Sequence, residues 1–419
     1  MYRLSKRNKK LVGTITLPAS KSISNRALII QSMCGSPVRL DNIASSADTL
    51  TVNSILERDA TEYWENIEYN VGAAGTAMRF LTAYFASIPG TRVLTGSSRM
   101  KQRPVKPLVD ALIQLGADIC YLEQDGYPPL KIAGKLLEGS EVGVDGTLSS
   151  QYITALMLIS PRLVNGLVIH LKGKITSASY INLTLKMMKE FGVTGDWKDN
   201  TISVSNQSYK LDEKQVYKIE ADWSSASYWY AMAALSDEVD LKLMGLKSES
   251  IQGDKIVKEL FALLGVKTEL IEGGVHLSKE IPVIKSFAYD FSDCPDLAQT
   301  IAVTAVGMRM PILMNGLQTL KIKETDRIAA LITEFGKLGV SAIETFPNTL
   351  EIREYPLFTH SSPRFSTYDD HRMALSFAPL SLVYRQIEIE NPEVVQKSYP
   401  GFWDDLSSLG FEVLSLPQA

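Results

Sequence analysis

Little in this chain points to metal or disulfide chemistry. Its three cysteines, Cys34, Cys120 and Cys294, are scattered and form no C-x-x-C pair, which argues against a disulfide framework or a structural zinc site. The four histidines are equally dispersed, so no metal centre is expected. Charge of one sign is lacking too. The 43 Lys and Arg stand against 47 Asp and Glu, so no global field gathers nucleic acid or an anionic membrane. No apolar run reaches transmembrane length, and Met1 to Lys10 carries charge without the apolar core of a signal peptide. The expectation is a cytoplasmic protein with neither membrane nor nucleic-acid partner, its Lys6-Arg7-Asn8-Lys9-Lys10 cluster a solvated terminus.

What is present is a repeat. Across 419 residues, an apolar helix end followed by glycine and an apolar residue or alanine recurs at Leu115-Gly116, Phe191-Gly192, Leu264-Gly265, Leu338-Gly339 and Leu409-Gly410, at intervals of 76, 73, 74 and 71 residues. In the fourth unit Ile328, Leu331, Ile332, Phe335 and Leu338 fall at helical spacing, and Gly339 suits the left-handed cap that ends a helix. Val340 to Ile343 and Thr349 to Ile352 then read as paired strands around Pro347-Asn348. A weaker first unit spans Leu50 to Val71, with a helix from Thr51 to Leu56 and no closing glycine. About six units of roughly 70 residues suggest an α/β protein of two similar domains, three units each, with a cleft between them. The expected domains are 1–17 plus 222–419, and 18–221 inserted. Each can bury its own core, so a monomer is expected.

Five polar helix starts stand out. The first, Leu17-Pro18-Ala19-Ser20-Lys21-Ser22-Ile23-Ser24-Asn25-Arg26, stops a β-like run at Pro18 and opens an apolar helix carrying two cations. Free N–H groups and the positive end of the helix dipole favour an anion there. Gly72-Ala73-Ala74-Gly75-Thr76 lets a ligand approach the backbone closely. Ser149-Ser150-Gln151 adds two hydroxyls and an amide, Lys323-Glu324-Thr325-Asp326-Arg327 offers Thr325 or Asp326 as cap, and Asp369-Asp370-His371-Arg372 repeats the capped cation. Taken singly, each is an ordinary capped helix, Asp296 an ordinary N-cap and His371 an ordinary capping or surface histidine. Taken together, Lys21, Arg26, Arg103, Lys323, Arg327, Arg372 and Lys397 sit at corresponding edges of the repeats, and in a chain of net charge −4 that implies local capture of several anionic groups. Asp296 and Glu324 are the carboxylates available for proton transfer.

These residues resemble the 5-enolpyruvylshikimate-3-phosphate synthase family over the whole chain. The likeness rests on Ser20 to Arg26, Gly75-Thr76-Ala77-Met78-Arg79, Arg99-Met100-Lys101-Gln102-Arg103-Pro104, Ser149 to Gln151, Lys323 to Arg327 and Asp370-His371-Arg372-Met373, in order. It implies two domains of three βαβαββ units, transfer of the enolpyruvyl group of phosphoenolpyruvate to the 5-hydroxyl of shikimate 3-phosphate with release of phosphate, no metal or organic cofactor, and a family that glyphosate targets. By resemblance, Ser22, Arg26 and Asp296 address the shikimate ring and its carboxylate, with Thr319 where the family has an asparagine against that ring. Ser149, Ser150, Ser177 and Lys323 hold the 3-phosphate, with Gln151 between the ligands. Lys21, Arg103 and Lys397 hold the phosphate of phosphoenolpyruvate beside Gly75, and Arg327 and Arg372 fork its carboxylate. Asp296 is the base and Glu324 the acid, with Lys21 and His371 assisting.

Four positions depart from that pattern. Ala73 and Thr319 stand where asparagine is usual, Phe80 replaces a proline after the Met78-Arg79 pair, and Ala19 replaces a glycine. Two other readings compete. The UDP-N-acetylglucosamine enolpyruvyl transferase family resembles this fold and chemistry but carries a cysteine in the loop corresponding to Arg99 to Pro107, where this chain has none. A catalytically silent binding protein would have no use for an acid and base pair.

Overall fold

The repeated glycines end helices in the same way. Gly116, Gly192, Gly265, Gly339 and Gly410 all adopt positive φ, between 73° and 95°. At four of them the next residue's N–H reaches back five residues to a helix carbonyl: Ala117 to Leu112, Val193 to Met188, Val340 to Phe335 and Phe411 to Leu406. That cap has a consequence for the following strand. Because Val340 still serves the helix, the strand expected from Val340 begins at Ala342, and Ala342–Glu344 pairs antiparallel with Leu350–Ile352.

The structure, a computed structural model, describes all residues except 62–64, 148, 213–214, 356–361 and 418–419. Residues 62–64 of the expected first unit therefore lie outside the described residues. Its helix runs Ala47–Asp59, longer than expected, and closes on Ala60 in a right-handed conformation, without glycine.

Two compact units are formed, Met1–Ala19 with Glu220–Ala419, and Ser20–Ile219. Among the described residues they hold five four-stranded sheets and one two-stranded sheet; four of the larger sheets follow one rule in chain order, and in the fifth the N-terminal strand Tyr2–Ser5 takes the place of the fourth strand. A first strand pairs parallel with a second, as the intervening helix requires, and the fourth then lies between the second and the third, both contacts antiparallel. Glu65–Asn70, Gly90–Thr95, Leu130–Gly134 and Asp118–Tyr121 form one such sheet, and Phe287–Asp290, Ile312–Asn315, Leu350–Ile352 and Ala342–Glu344 another. This is the βαβαββ unit. The N-terminal strands complete two of these sheets: Lys10–Thr16 pairs parallel with Glu238–Met244, and Tyr2–Ser5 lies between Ile387–Ile389 and Glu412–Ser415.

Inside the sheets run helices buried on every side. Trp223–Leu235 is buried throughout, as are His371–Phe377 and the first nine residues of Ala298–Met308. In the other unit Gly75–Ala86 and Ser150–Ile159 are buried at all positions but Thr76 and Gln151 respectively. Helices apolar all round belong in a core. Their side walls cannot carry charge, so their N-terminal ends are where the polar residues emerge.

Candidate active site

In the unit containing both chain termini, a network of ion pairs gathers at the N-terminal ends of three helices, two of them buried in this way and the third, Arg327–Lys337, buried on one face. Asp370 caps His371–Phe377, its side chain accepting from the Arg372 N–H. The same carboxylate grips Arg327 through both oxygens, Nε to Oδ2 at 2.7 Å and Nη2 to Oδ1 at 3.1 Å, with Arg327 1% and Asp370 0% exposed. Asp326, the residue that caps Arg327–Lys337, accepts from Ile328 and Ala329, which fixes the backbone that presents Lys323, Glu324 and Arg327.

Asp296 is not a helix cap. It sits in the short turn Pro295–Leu297 ahead of Ala298–Met308, and its Oδ2 accepts from Arg372 Nη2 at 2.7 Å, while Oδ1 lies 3.6 Å from Arg327 Nη1 and 3.9 Å from Lys323 Nζ. Arg372 also donates to the Tyr228 hydroxyl. Glu324 receives Arg327 Nη2 at 3.1 Å and Lys397 Nζ at 3.0 Å. His371 Nδ1 lies 3.6 Å from Asp370. Burial lowers the Lys323 ammonium below its usual range, with Asp296 and Glu324 opposing; for Arg327 burial also lowers, but the Asp370 and Glu324 charges outweigh it and the net shift is upward. Among the described residues, the buried Nη1 of Arg327 makes no hydrogen bond, and the buried hydroxyl of Thr319, in the turn Gln318–Ile322, has no partner.

The inserted unit presents its polar groups differently. Ser20 caps Lys21–Met33, and Lys21 Nζ pairs with Asp48 at 3.1 Å. Arg26, 3% exposed, is held by neutral oxygens: Nε to Thr184 Oγ1 at 2.9 Å, Nη2 to Thr154 Oγ1 at 3.4 Å, and Nη1 to the Ser22 carbonyl at 2.8 Å. Burial pulls this guanidinium down to about 10, so it stays charged at neutral pH. Gly75 opens Gly75–Ala86 directly against Arg103, where a Cβ would meet the guanidinium at 2.6 Å. Arg79 and Tyr152 both donate to the Pro104 carbonyl and so tie down the loop carrying Arg103. Gln151 Nε2 donates to Thr76, Ser149 caps the helix that Ser150 begins, and Ser177 precedes Ala178–Glu190 in a left-handed conformation, φ 56°, uncommon for a residue with a side chain.

Known proteins resemble this chain over almost its whole length. The sequence profile described as EPSP synthase (3-phosphoshikimate 1-carboxyvinyltransferase) matches residues 5–58 and 57–406. A 3-phosphoshikimate 1-carboxyvinyltransferase of Bacteroides fragilis is 47% identical over 405 residues, spanning 96% of this chain and 97% of its own. The chain belongs to the EPSP synthase family. A relative of the same name from Mannheimia succiniciproducens is 35% identical over 422 residues, covering 95% of this chain and 96% of its own. Among solved structures, EPSP synthase from Acinetobacter baumannii aligns with TM-score 0.75 at 20% identity over 99% of both chains. The enolpyruvyl transferase NikO from Streptomyces tendae aligns at 0.74 and 14%, again over 99% of both. At such identities these two establish the fold, that of the enolpyruvyl transferases.

Against the EPSP synthase pattern, two of the four departures have a physical account. Phe80 puts its ring 5.4 Å from the Arg26 guanidinium, with Tyr180 at 5.9 Å, so the arginine is stabilised by ring faces where the described residues supply no counter-ion. Ala19 is small enough for the antiparallel bridge it makes with Ala221. Ala73 is exposed in the turn before Gly75. Sequence reasoning overlooked Asp48, Thr154, Thr184 and Tyr228, which hold Lys21, Arg26 and Arg372. Asp48 stands in the first turn after the Ser46 cap, a helix-start signal that was readable; the two threonines lie mid-helix and give none.

Proposed function

We propose that this chain is a 3-phosphoshikimate 1-carboxyvinyltransferase, moving the enolpyruvyl group of phosphoenolpyruvate to the 5-hydroxyl of shikimate 3-phosphate. The single observation that carries the residue roles is the network in which Asp296 and Glu324 are each held by cations that an anionic substrate would claim. Arg327 and Arg372 suit the substrate carboxylate because a guanidinium binds both oxygens; among the described residues Arg327 Nη1 has no hydrogen bond to give up. Lys21, Arg103 and Lys397 would take the phosphate of phosphoenolpyruvate. Ser149, Ser150, Ser177 and Lys323 would take the 3-phosphate, with Ser22, Arg26 and Thr319 on the shikimate ring and its carboxylate, and Gln151 serving both ligands.

The same competition sets the chemistry going. Cations on a carboxylate favour its charged form, so a substrate that draws Arg327 and Lys397 away makes Glu324 a readier holder of a proton. One that draws Arg372 away frees Asp296 to accept one. Asp296 then takes the proton of the 5-hydroxyl as its oxygen bonds to the substituted enol carbon, and Glu324 delivers a proton to the methylene. The tetrahedral adduct loses a methyl proton and its C–O bond to phosphate, and Lys21, Arg103 and Lys397 stabilise the departing charge. Lys21 and His371 assist by position.

Purified protein given phosphoenolpyruvate and shikimate 3-phosphate should release phosphate, and Asp296→Ala should lose about 10²–10⁴-fold in kcat, the usual weight of a general base. Release with UDP-N-acetylglucosamine in place of shikimate 3-phosphate would move the chain to the cell-wall type of transferase. Binding without release would leave a silent binding protein.

A further inference from the structure

Behind Asp296 lies a second carboxylate that the reaction as written does not use. Asp254 belongs to the turn Gly253–Ile256 and is 4% exposed. One of its oxygens, Oδ2, accepts from the Ser224 hydroxyl; the other, Oδ1, is buried and has no hydrogen-bond partner among the described residues. A buried anion wants donors on both oxygens, and a neutral acid tolerates this setting far better. The position itself is fixed. Gln252, two residues earlier, accepts from the Trp223 N–H and donates to the Ala221 carbonyl, which binds this turn to the start of Trp223–Leu235.

The charged and titratable groups around Asp254 come from every neighbouring segment. Asp296 and Cys294 come from the turn before Ala298–Met308, Arg372 from His371–Phe377, and Asp222 from the cap of Trp223–Leu235. Burial first, then the Asp296 charge, push the Asp254 carboxyl up to about 7, with Ser224 and Arg372 opposing. Lys323, Arg327, Arg372 and Lys397 face Asp296, Glu324 and Asp370, and Asp222 adds a fourth carboxylate beside Asp254. Cations and carboxylates therefore balance when Asp254 is neutral, and the cluster carries one net negative charge when it is ionised.

We propose that Asp254 is a positioning residue for the Asp296–Arg372 pair, neutral in the active enzyme so that Arg372 is shared only between Asp296 and the incoming substrate carboxylate. Ionised, it competes for Arg372 and weakens the hold on phosphoenolpyruvate. This inference rests on the function proposed above and adds a residue to that same site.

The test is the KM for phosphoenolpyruvate from pH 6 to 9, in the wild-type chain and in Asp254→Asn, whose amide keeps the shape of the neutral acid. Transfer to shikimate 3-phosphate by both proteins at pH 6 carries the functional reading; the ratio of their KM values carries this one. That ratio, wild type over variant, should be flat below about pH 6 and rise roughly threefold to tenfold above pH 8, the weight of one unit charge over roughly 12–25 Å at an effective dielectric constant of about 20. Effects of pH on the substrate itself, or on Lys323, divide out. A ratio that does not change with pH overturns the proposal, because a purely structural role would shift both proteins alike. Should Asp254→Asn fold poorly, Ser224→Ala decides. Removing the hydroxyl that favours the charged form should move the rise in KM to higher pH, and a rise left in place or moved lower is equally fatal.

Discussion

Arg327 and Arg26 are both buried arginines in the opening two turns of their helices, yet their units hold them by opposite means. Arg327 is locked to Asp370 through two hydrogen bonds and shares Glu324, so its charge is cancelled before any ligand arrives. Arg26 is held by two threonine hydroxyls, a carbonyl and two ring faces. The difference concerns the job of the site more than the composition of the unit, since the inserted unit also builds a buried pair where a role is purely structural: Arg92 and Asp59, joined at 2.6 and 3.0 Å, with the Tyr69 hydroxyl on the same carboxylate. A cation held by neutral dipoles is a ready receptor for an anion. A cation held by carboxylates gives up its charge only by exchange, and exchange is what an acid and base pair needs in order to respond to substrate.

The sharpest way to break this contrast is to remove each arginine in turn. Arg327→Met strands Asp370, 0% exposed, without its counter-ion, and should cost about 3–5 kcal/mol of folding stability. Arg26→Met leaves only neutral acceptors behind and should cost roughly 1–2 kcal/mol. Denaturant unfolding of both variants measures this directly; equal losses would show that the hydroxyl cradle is as demanding as the carboxylate one.

Of intermediate size is the effect of a single methyl group at Gly75. The Arg103 guanidinium lies where the Cβ would go, within 2.6–2.9 Å, so Gly75→Ala has to displace it. Arg103 is 6% exposed and its loop is tied through Pro104, which limits how far it can yield. The KM for phosphoenolpyruvate should rise about tenfold, equivalent to ~1.4 kcal/mol, with a smaller change in kcat. An unchanged KM would mean that Arg103 does not reach that substrate.

How much of this could be read before the structure follows from the range of each interaction. Helix starts and stops are set by neighbours within a few residues, which is why Gly339 and the cap pair Asp370–Arg372 were legible, and why the choice left open between Thr325 and Asp326 needed only the local hydrogen bonds that Asp326 makes. Even so, the strand after Gly339 starts two residues late, because the cap's second hydrogen bond takes Val340. The repeat was legible from glycine spacing, but the way Tyr2–Ser5 closes a sheet with strands near the other end of the chain was not. Ion pairing was hidden for the same reason. Asp296 and Arg372 are 76 residues apart, and nothing local distinguishes Asp296 as Arg372's partner from Asp293, three residues earlier.

The finest form of the contrast lies in the threonines one turn inside each core. In the unit of the termini, Thr300 links Ser227 at 3.2 Å and Ser376 at 3.3 Å, one hydroxyl from each of three buried helices. In the inserted unit Thr184 meets Thr154 at 3.4 Å and also receives Arg26 Nε. Valine is nearly isosteric at both positions but donates and accepts nothing. Thr300→Val should therefore cost only about 1 kcal/mol, a neutral hydrogen-bond loss with no effect on substrate affinity. Thr184→Val should cost slightly more, ~1–3 kcal/mol, because a buried guanidinium N–H loses its acceptor, and it should raise the KM for shikimate 3-phosphate as Arg26 reorients. Parallel unfolding and kinetic measurements on the two variants separate the effects. If both left KM untouched, Arg26 would be held well enough by Ser22 and the rings alone, and the hydroxyls would be core packing in both units.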